Sequence, residues 1–279
     1  MPECQVAIPT RNGAAELERT LAAVARQTVR AEVVVLDSSS TDGTADVARR
    51  HGATVEVIPA QAFRHGRARN RLMELTSAPR VAFLTQDAEP ADERWLERLL
   101  GPDAALTYGP YRARPGTGVP LRREYAEFFG PEPRIATFVS SANLSLSRDA
   151  WAQVPFRDVA YAEDQRLGLD LLAAGYQKAY VADAAVLHSH EYGMVERARR
   201  YFDEFRALHE LYGWTAPASP RVLAGTVRAE VRKDRAFAPG PLGTSLGWHG
   251  ARVLGAALGT RADRLPAPVR RRLSLEGRA

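Results

Sequence analysis

The sequence predicts an α/β fold, a mostly parallel twisted sheet flanked by helices, with a basic helical tail at its C-terminal end. Three observations carry that reading. Val33-Val34-Val35-Leu36-Asp37 and Val81-Ala82-Phe83-Leu84-Thr85-Gln86-Asp87 are short apolar runs, β-branched or aromatic in part, and each ends in a bare carboxylate. Such runs fit strands covered on both faces, as in a parallel sheet. Strand and helix patterns alternate through the first hundred residues, which is the doubly wound arrangement. The charge is also segregated. Residues 213–279 carry 12 Lys/Arg against 4 Asp/Glu, a balance of +8, whereas the rest of the chain carries 26 against 29, or −3.

Gln5 to Ile8 reads as the first strand, closed by Pro9-Thr10-Arg11-Asn12-Gly13. Ala14 to Arg26 reads as a helix, because Leu17, Leu21 and Val24 recur at helical spacing. Glu32 to Leu36 is the second strand. It runs into Asp37-Ser38-Ser39-Ser40-Thr41-Asp42-Gly43-Thr44, a turn-rich loop whose side chains suit capping of a helix over Ala45 to His51. Thr54 to Ile58 is a third strand, and Arg67 to Leu75 a helix ended by Ser77-Ala78-Pro79. The strand ending at Asp87 follows. Leu106 to Tyr111 is a further strand, and Arg112 to Pro133, rich in Gly, Pro and charge, reads as a loop with one short helix over Glu124 to Phe129. Ala136 to Leu146 comes next. The spacing predicts a helix over Asp164 to Ala174, stopped by Gly175, a residue suited to the left-handed turn after a helix. Tyr176 to Val181 and Ala185 to His188 are short strands. Met194 to Tyr212 is an amphipathic helix with Val195, Ala198, Phe202, Phe205, Leu208 and Leu211 on one stripe. After Trp214, prolines separate short helical stretches. The expected organisation is therefore a catalytic-size domain over residues 1–212 and a basic helical tail over 213–279, with no internal repeat.

Composition narrows the class. Of 279 residues 45% are hydrophobic and 25% charged, which excludes a disordered chain. The single cysteine, Cys4, excludes an internal disulfide and fits a reducing compartment. Met1 runs directly into the first strand, and no stretch of 18 apolar residues occurs, so neither a secretory signal nor a membrane span is expected, and the chain reads as cytoplasmic. The basic tail suits an anionic membrane surface on the inner face of the cell membrane, or simply forms a solvated face; its arginines are not interleaved with a nucleic-acid motif, so no nucleic-acid partner is expected.

In open parallel sheets, ligands bind outside the carboxyl ends of the strands. Two acids at two such ends, Asp37 and Asp87, imply one shared crevice for a cation or for hydrogen-bond donors of a ligand, and that points to a nucleotide diphosphate. Five segments then carry a resemblance. Val6-Ala7-Ile8-Pro9-Thr10-Arg11-Asn12-Gly13 and the loop from Asp37 to Thr44 resemble the start of an inverting family 2 glycosyltransferase of the GT-A fold. Phe63-Arg64-His65-Gly66-Arg67-Ala68-Arg69-Asn70, Phe83-Leu84-Thr85-Gln86-Asp87-Ala88, and His188-Ser189-His190 with Arg200-Tyr201-Phe202-Asp203 are similar to its bacterial rhamnosyltransferase branch.

The resemblance implies a set of roles. Asp37 would meet the nucleotide base, accepting the imide N–H of uracil or thymine, with Pro9, Thr10 and Asn12 as the wall of that pocket; Asp42 would cap a helix. Arg69 and Asn70, at a helix start with its free N–H groups, would face the nucleotide. Gln86 and Asn143 would belong to the same nucleotide-sugar site. Asp87 matches the last acid of the family's Asp-x-Asp element and would hold Mg2+ or Mn2+, although Thr85 replaces the first acid. His188 would reach the cation or the diphosphate, or be an ordinary packed histidine. Glu163-Asp164 matches the family's Glu-Asp pair: Asp164 would be the base, held ionised by the helix dipole, and Glu163 its support. Trp95 and Trp151 read as core.

The implied activity is transfer of a sugar, L-rhamnose from dTDP-L-rhamnose, to a hydroxyl of a cell-surface or lipid-linked glycan. Two alternatives share most of these motifs: a UDP-hexose or UDP-N-acetylhexosamine transferase, and a non-catalytic glycan-binding protein. A nucleotidyltransferase would need a Gly-rich, lysine-bearing loop after the first strand, and Pro9-Thr10-Arg11-Asn12-Gly13 is not one. The acceptor, the linkage and the oligomeric state are not encoded in any motif.

Overall fold

The computed structural model describes residues 3–133, 137–190 and 192–276; Ala136, the expected start of one segment, lies outside them. Two compact units are present. Met1–Arg114, Tyr125–Val159 and Glu163–Ser189 form the first, and Pro115–Glu124, Ala160–Ala162 and His190–Ala279 the second.

The first unit alternates as expected. It runs β1 (Cys4–Thr10), α1 (Ala14–Ala25), β2 (Glu32–Asp37), α2 (Thr44–Arg50), β3 (Thr54–Val57), α3 (His65–Leu75) and β4 (Arg80–Leu84). Next come β5 (Glu89–Pro90), α4 (Trp95–Leu100), β6 (Leu106–Tyr108), β7 (Tyr111–Arg112), α5 (Val119–Phe128, whose first six residues count with the second unit), β8 (Asn143–Ser147), α6 (Arg148–Gln153), α7 (Glu163–Ala173), β9 (Lys178–Tyr180) and β10 (Val186–Leu187). Seven strands form the main sheet in the order β3-β2-β1-β4-β8-β6-β9. All seven residues of β1 are buried, because β2 and β4 flank it in parallel and helices cover both faces. The strand order reverses beside β1, so the crevice of the sheet lies at the carboxyl ends of β1, β2 and β4. A small second sheet, β5-β10-β7, brings Glu89 and Leu187 into register.

β8 is the element that pattern reading left unassigned. It runs antiparallel to both β4 and β6 in the middle of the sheet. Ser145 is fully buried there, and its hydroxyl accepts from Arg80 Nε at 3.1 Å. A buried polar group with a partner is tolerated in a core, so this strand carries no continuous apolar run. The expected short helix at Glu124 begins earlier, at Val119.

Two asparagines expected to face the nucleotide are scaffold instead. Asn143 is fully buried; its carbonyl accepts from Trp95 Nε1 at 2.8 Å, and its amide donates to Ala184 O at 2.8 Å and Pro110 O at 3.2 Å. The approach is close enough that a Cβ on Gly109 would lie 1.9 Å from Ala184 O and 2.6 Å from Asn143 Nδ2. Asn70 clamps α3 to the end of α6: its carbonyl accepts from Trp151 Nε1 at 2.9 Å and Phe156 N at 3.0 Å, and its amide donates to Phe156 O at 2.9 Å. Both acceptor sites of the Asn70 carbonyl are filled, and both amide hydrogens of Asn143 are used inside the protein. Trp95 is core, as expected.

In the second unit α8 (Met194–Tyr212) is joined by α9 (Pro220–Phe237), α10 (Leu242–Gly259) and α11 (Ala267–Leu273). This corrects the expected tail in two respects. α9 and α10 are 18 residues each rather than short stretches, and α8 belongs with them rather than with the sheet, so the boundary falls at Ser189 and not at Tyr212. α10 lies directly on α8: a Cβ on Gly255 would meet Ala198 O at 2.4 Å, and one on Gly259 would meet Phe202 O at 2.3 Å. Asp234 of α9 accepts from Arg123 Nε at 2.6 Å and pairs with His249 Nε2 of α10 at 2.8 Å. Asp203 of α8 accepts from the Ser274 hydroxyl at 3.0 Å and from the N–H groups of Leu275 and Glu276, tying the end of the described chain back to the helix.

Asn70→Ala tests the scaffold role. It leaves Trp151 Nε1 and the Phe156 N–H without an acceptor, and should cost about 2 kcal/mol in urea unfolding while nucleotide affinity of the folded protein stays unchanged. A weakened nucleotide affinity with unchanged stability would return Asn70 to the ligand site.

Candidate active site

The carboxyl ends of β1 and β2 are closed by a mesh of side chains. Asp37 pairs with Thr10 across the sheet and is 1% exposed. Its carboxylate accepts from the N–H of Ser40 at 2.9 Å and from the Ser40 hydroxyl. Asn12 adopts φ 45° and accepts from Thr41 N at 2.9 Å. Asp42 accepts from Ala14 N at 3.1 Å, Thr44 N at 3.1 Å and the Thr44 hydroxyl, so it caps the starts of both α1 and α2. The Thr44 hydroxyl and then the Ala14 N–H hold its carboxyl below the ordinary range. Pro9 is buried near the end of β1, opposite Leu36 of β2.

Gln86 joins this end of the sheet to β4. Its carbonyl accepts from the Thr10 hydroxyl and from Arg11 N at 2.8 Å, and its amide donates to Arg11 O at 3.2 Å. A Cβ on Gly13 would fall 2.3 Å from Gln86 Nε2, so any larger residue there would have to displace the Gln86 amide. The sequence placed Thr10 and Gln86 among ligand-contacting groups; Gln86 is spent on the β1 turn, and Thr10 donates to it.

Asp87 follows Gln86 directly. One of its carboxylate oxygens lies 3.5 Å from His188 Nδ1, so an oxygen and an imidazole nitrogen converge as ligand atoms. The His188 ring packs edge-on against Tyr111, with centroids 5.0 Å apart, and its backbone N–H donates to Arg112 O at 3.0 Å. Arg114, which no motif marked, pairs with Glu89 at 2.8 Å and donates to the Asp87 carbonyl at 2.8 Å. Glu89 is thereby held by an arginine. The hydroxyl of Thr85 is buried without a hydrogen-bond partner.

Glu163 and Asp164 open α7, immediately after Ala162 at φ 59°, a conformation that costs an alanine of order 1 kcal/mol and recurs at functional turns. Asp164 accepts from Ser141 N at 2.8 Å and from Gln165 N at 2.7 Å. Burial, and then the charge of Glu163, push its carboxyl up to about 6; the two N–H groups and Arg69 pull the other way. The helix-dipole expectation thus had the wrong sign, because desolvation and a like charge outweigh the dipole. Arg69 is 3% exposed and lies beside this pair, its Nε 3.9 Å from Glu163 Oε1, rather than at an open helix start. The backbone after α6 comes against that start: a Cβ on Gly66 would lie 2.1 Å from Arg157 O.

The three acids are linked by contacts within one unit. Asp37 is paired with Thr10, Thr10 bonds Gln86, and Asp87 follows and meets His188. His188 packs on Tyr111, the Tyr111 hydroxyl bonds Ser140, and Ser141 donates to Asp164. The arrangement offers a divalent cation one carboxylate and one imidazole at one end, and a half-buried carboxylate poised near neutrality at the other.

Residues 5–134 match the family model described as Glycosyl transferase family 2. The O-antigen chain rhamnosyltransferase WbaN of Salmonella anatum is 30% identical over 225 residues, covering 73% of this chain and 71% of that protein. The O-antigen chain rhamnosyltransferase RfbN of Salmonella typhimurium is 29% identical over 218 residues, covering 70% and 69%. Among solved structures, the mannosyltransferase PcManGT from Pyrobaculum calidifontis, in complex with GDP-Man and Mn2+, superimposes with a TM-score of 0.66 at 18% identity, over 95% of this chain and 88% of that one. By its family model, its relatives and its fold, the chain belongs to the family 2 glycosyltransferases, in their rhamnosyltransferase branch.

Proposed function

We propose that this glycosyltransferase moves L-rhamnose from dTDP-L-rhamnose to a hydroxyl of a cell-surface or lipid-linked glycan, with inversion in a single displacement. The observation that carries the reaction type is Asp164, a carboxylate brought close to neutral pH by burial beside Glu163. The two rhamnosyltransferase relatives support the donor.

In this reading Asp164 accepts the proton of the acceptor hydroxyl as its oxygen attacks the anomeric carbon. Ser141 N–H and Gln165 N–H fix the carboxylate for that transfer. Asp37, held by Ser40, turns a remaining lone pair to the imide N–H of thymine, and Pro9, Thr10 and Asn12 wall that pocket. Asp87 and His188 would hold Mg2+ or Mn2+, and their oxygen and imidazole donors fit either ion. What such a cation supplies when bound is neutralisation of the charge that builds on the departing diphosphate.

The second unit supports a location. Among the described residues no helix is long and apolar enough to cross a membrane. Val222, Phe237, Leu242, Leu246 and Val269 are each more than 40% exposed, and Arg270, Arg271 and Arg272 fill the last turn of α11. Exposed apolar side chains with flanking arginines suit an anionic bilayer surface, so the enzyme works at the cytoplasmic face of the membrane.

Three measurements test these statements. In a thermal-shift panel of nucleotide sugars with Mn2+, dTDP-rhamnose should give the largest stabilisation, and Asp87→Asn should remove the part that depends on Mn2+; a larger shift with UDP-glucose or UDP-N-acetylglucosamine would transfer the assignment to that donor. Asp164→Asn should lose about 100- to 10,000-fold in transfer while donor KM holds. In the wild type kcat/KM should fall below about pH 6, because the base is protonated there; wild-type transfer by Asp164→Asn would remove the base. Co-sedimentation with phosphatidylglycerol vesicles should be lost in the Arg270→Glu, Arg271→Glu, Arg272→Glu triple variant, and equal recovery on phosphatidylcholine would refute the anionic surface.

A further inference from the structure

Arg69 is the buried charge that the reaction above leaves without a task. It projects from α3 and is 3% exposed. Its Nε and Nη1 have no hydrogen-bond partner, and its Nε stands 3.9 Å from Glu163 Oε1, too far for a hydrogen bond. Its guanidinium carbon lies 5.4 Å from the centroid of Phe83, in the floor of the sheet. A buried cation with two unpaired nitrogens is expensive to hold, so ordinary fold stabilisation is a poor account of it. A phosphate ligand would be expected at the open start of a helix, but the start of α3 is covered by the backbone at Arg157.

We propose that Arg69 is a positioning residue for the base: its buried guanidinium offsets the charge of Glu163, so that Asp164 stands as a carboxylate when the acceptor hydroxyl arrives. The inference rests on Asp164 being that base.

The charges facing one another are few. Glu163 and Arg69 act on Asp164, together with the N–H groups of Ser141 and Gln165, and Tyr111 acts on Arg69. Arg69 favours the ionised Asp164, whereas Glu163 and burial oppose it. Removing the guanidinium leaves burial and the like charge unopposed on that side, and the base then carries a proton at neutral pH. Loose placement of Arg69 serves this role. A guanidinium locked bidentately onto Glu163 would spend its field there, whereas one at 3.9 Å, over an aromatic ring and away from water, acts on both carboxylates.

The test is the pH dependence of kcat/KM for Arg69→Gln and Arg69→Lys, with donor KM measured alongside and folding checked by circular dichroism. In Arg69→Gln the acidic limb should move up by about one pH unit or more, so that activity falls about two-fold or more at pH 7, about 10-fold at pH 5, and recovers at higher pH. Arg69→Lys keeps a cation and should hold the limb within about half a unit of wild type. A uniform loss at every pH with the limb in place, or a raised donor KM with the limb unmoved, would overturn the proposal. Should Arg69→Gln not fold, Glu163→Gln reads the same balance with the opposite sign: its limb must move to lower pH, and an unmoved limb is fatal. Failure of the underlying base assignment looks different, because Asp164→Asn would then transfer sugar normally.

Discussion

The site depends on the attachment of the β1 turn to the end of β4 through Gln86. One side chain does this, with two acceptor contacts and one donor contact to Thr10 and Arg11, and its amide fills the space beside Gly13 that a Cβ would take. Because β2 is in register with β1, fixing Thr10 also fixes Asp37. Because Asp87 is the next residue after Gln86, fixing that amide fixes the direction in which the chain leaves β4. Two strand ends that could splay independently are thus set at one separation before any ligand arrives, and a preorganised frame spends little ligand-binding energy on ordering itself.

Within that frame the acids are divided by their surroundings rather than by their chemistry. Asp37 and Asp42 sit among donors: a serine N–H and hydroxyl for the first, two backbone N–H groups and a threonine hydroxyl for the second. Donors stabilise the anion and suit groups that shape or recognise. Asp87 has an imidazole beside it, with Arg114 fastened to its own carbonyl. Asp164 has burial and Glu163, which destabilise the anion and make it a proton acceptor. In the proposed reading one residue type serves recognition, metal holding and proton transfer, and the division follows from which neighbours the fold delivers.

The outline of the first unit was legible because its determinants are local. β2 and β4 are apolar runs with nothing polar to interrupt them, and Gly175, at φ 86°, stops α7 where the pattern placed the stop. Long-range bonds hid the rest. β8 alternates Asn, Leu and Ser although it is central, since Arg80 and Trp95 come from elsewhere to satisfy its polar side chains. Asn70 and Asn143 carry the residue type of a ligand-binding group, and nothing local announces that their partners are an indole and backbone carbonyls 33 to 86 residues away. Arg114 lies in a loop whose composition says only loop, and its importance comes from Asp87, 27 residues earlier. Asp164 was placed correctly at a helix start, but its sign of shift depends on burial, which spacing does not encode.

The second unit shows the same dependence at the scale of a surface. By composition its C-terminal stretch holds four acidic residues, and two of them, Glu230 and Asp234, face inward: Asp234 is 1% exposed between Arg123 and His249, and Glu230 pairs with Arg123 at 2.5 Å. Arg123 comes from outside that stretch, so the pairing withdraws negative charge from the tail's surface without withdrawing the tail's own arginines. The close contact of α10 on α8 through Gly255 and Gly259 sharpens the effect, since helices that approach through glycine leave larger side chains to face outward. Leu242, Leu246 and Leu254 of α10 are between 46% and 52% exposed. A surface more basic than its sequence count, and studded with leucines, is in this way a product of how the unit packs its interior.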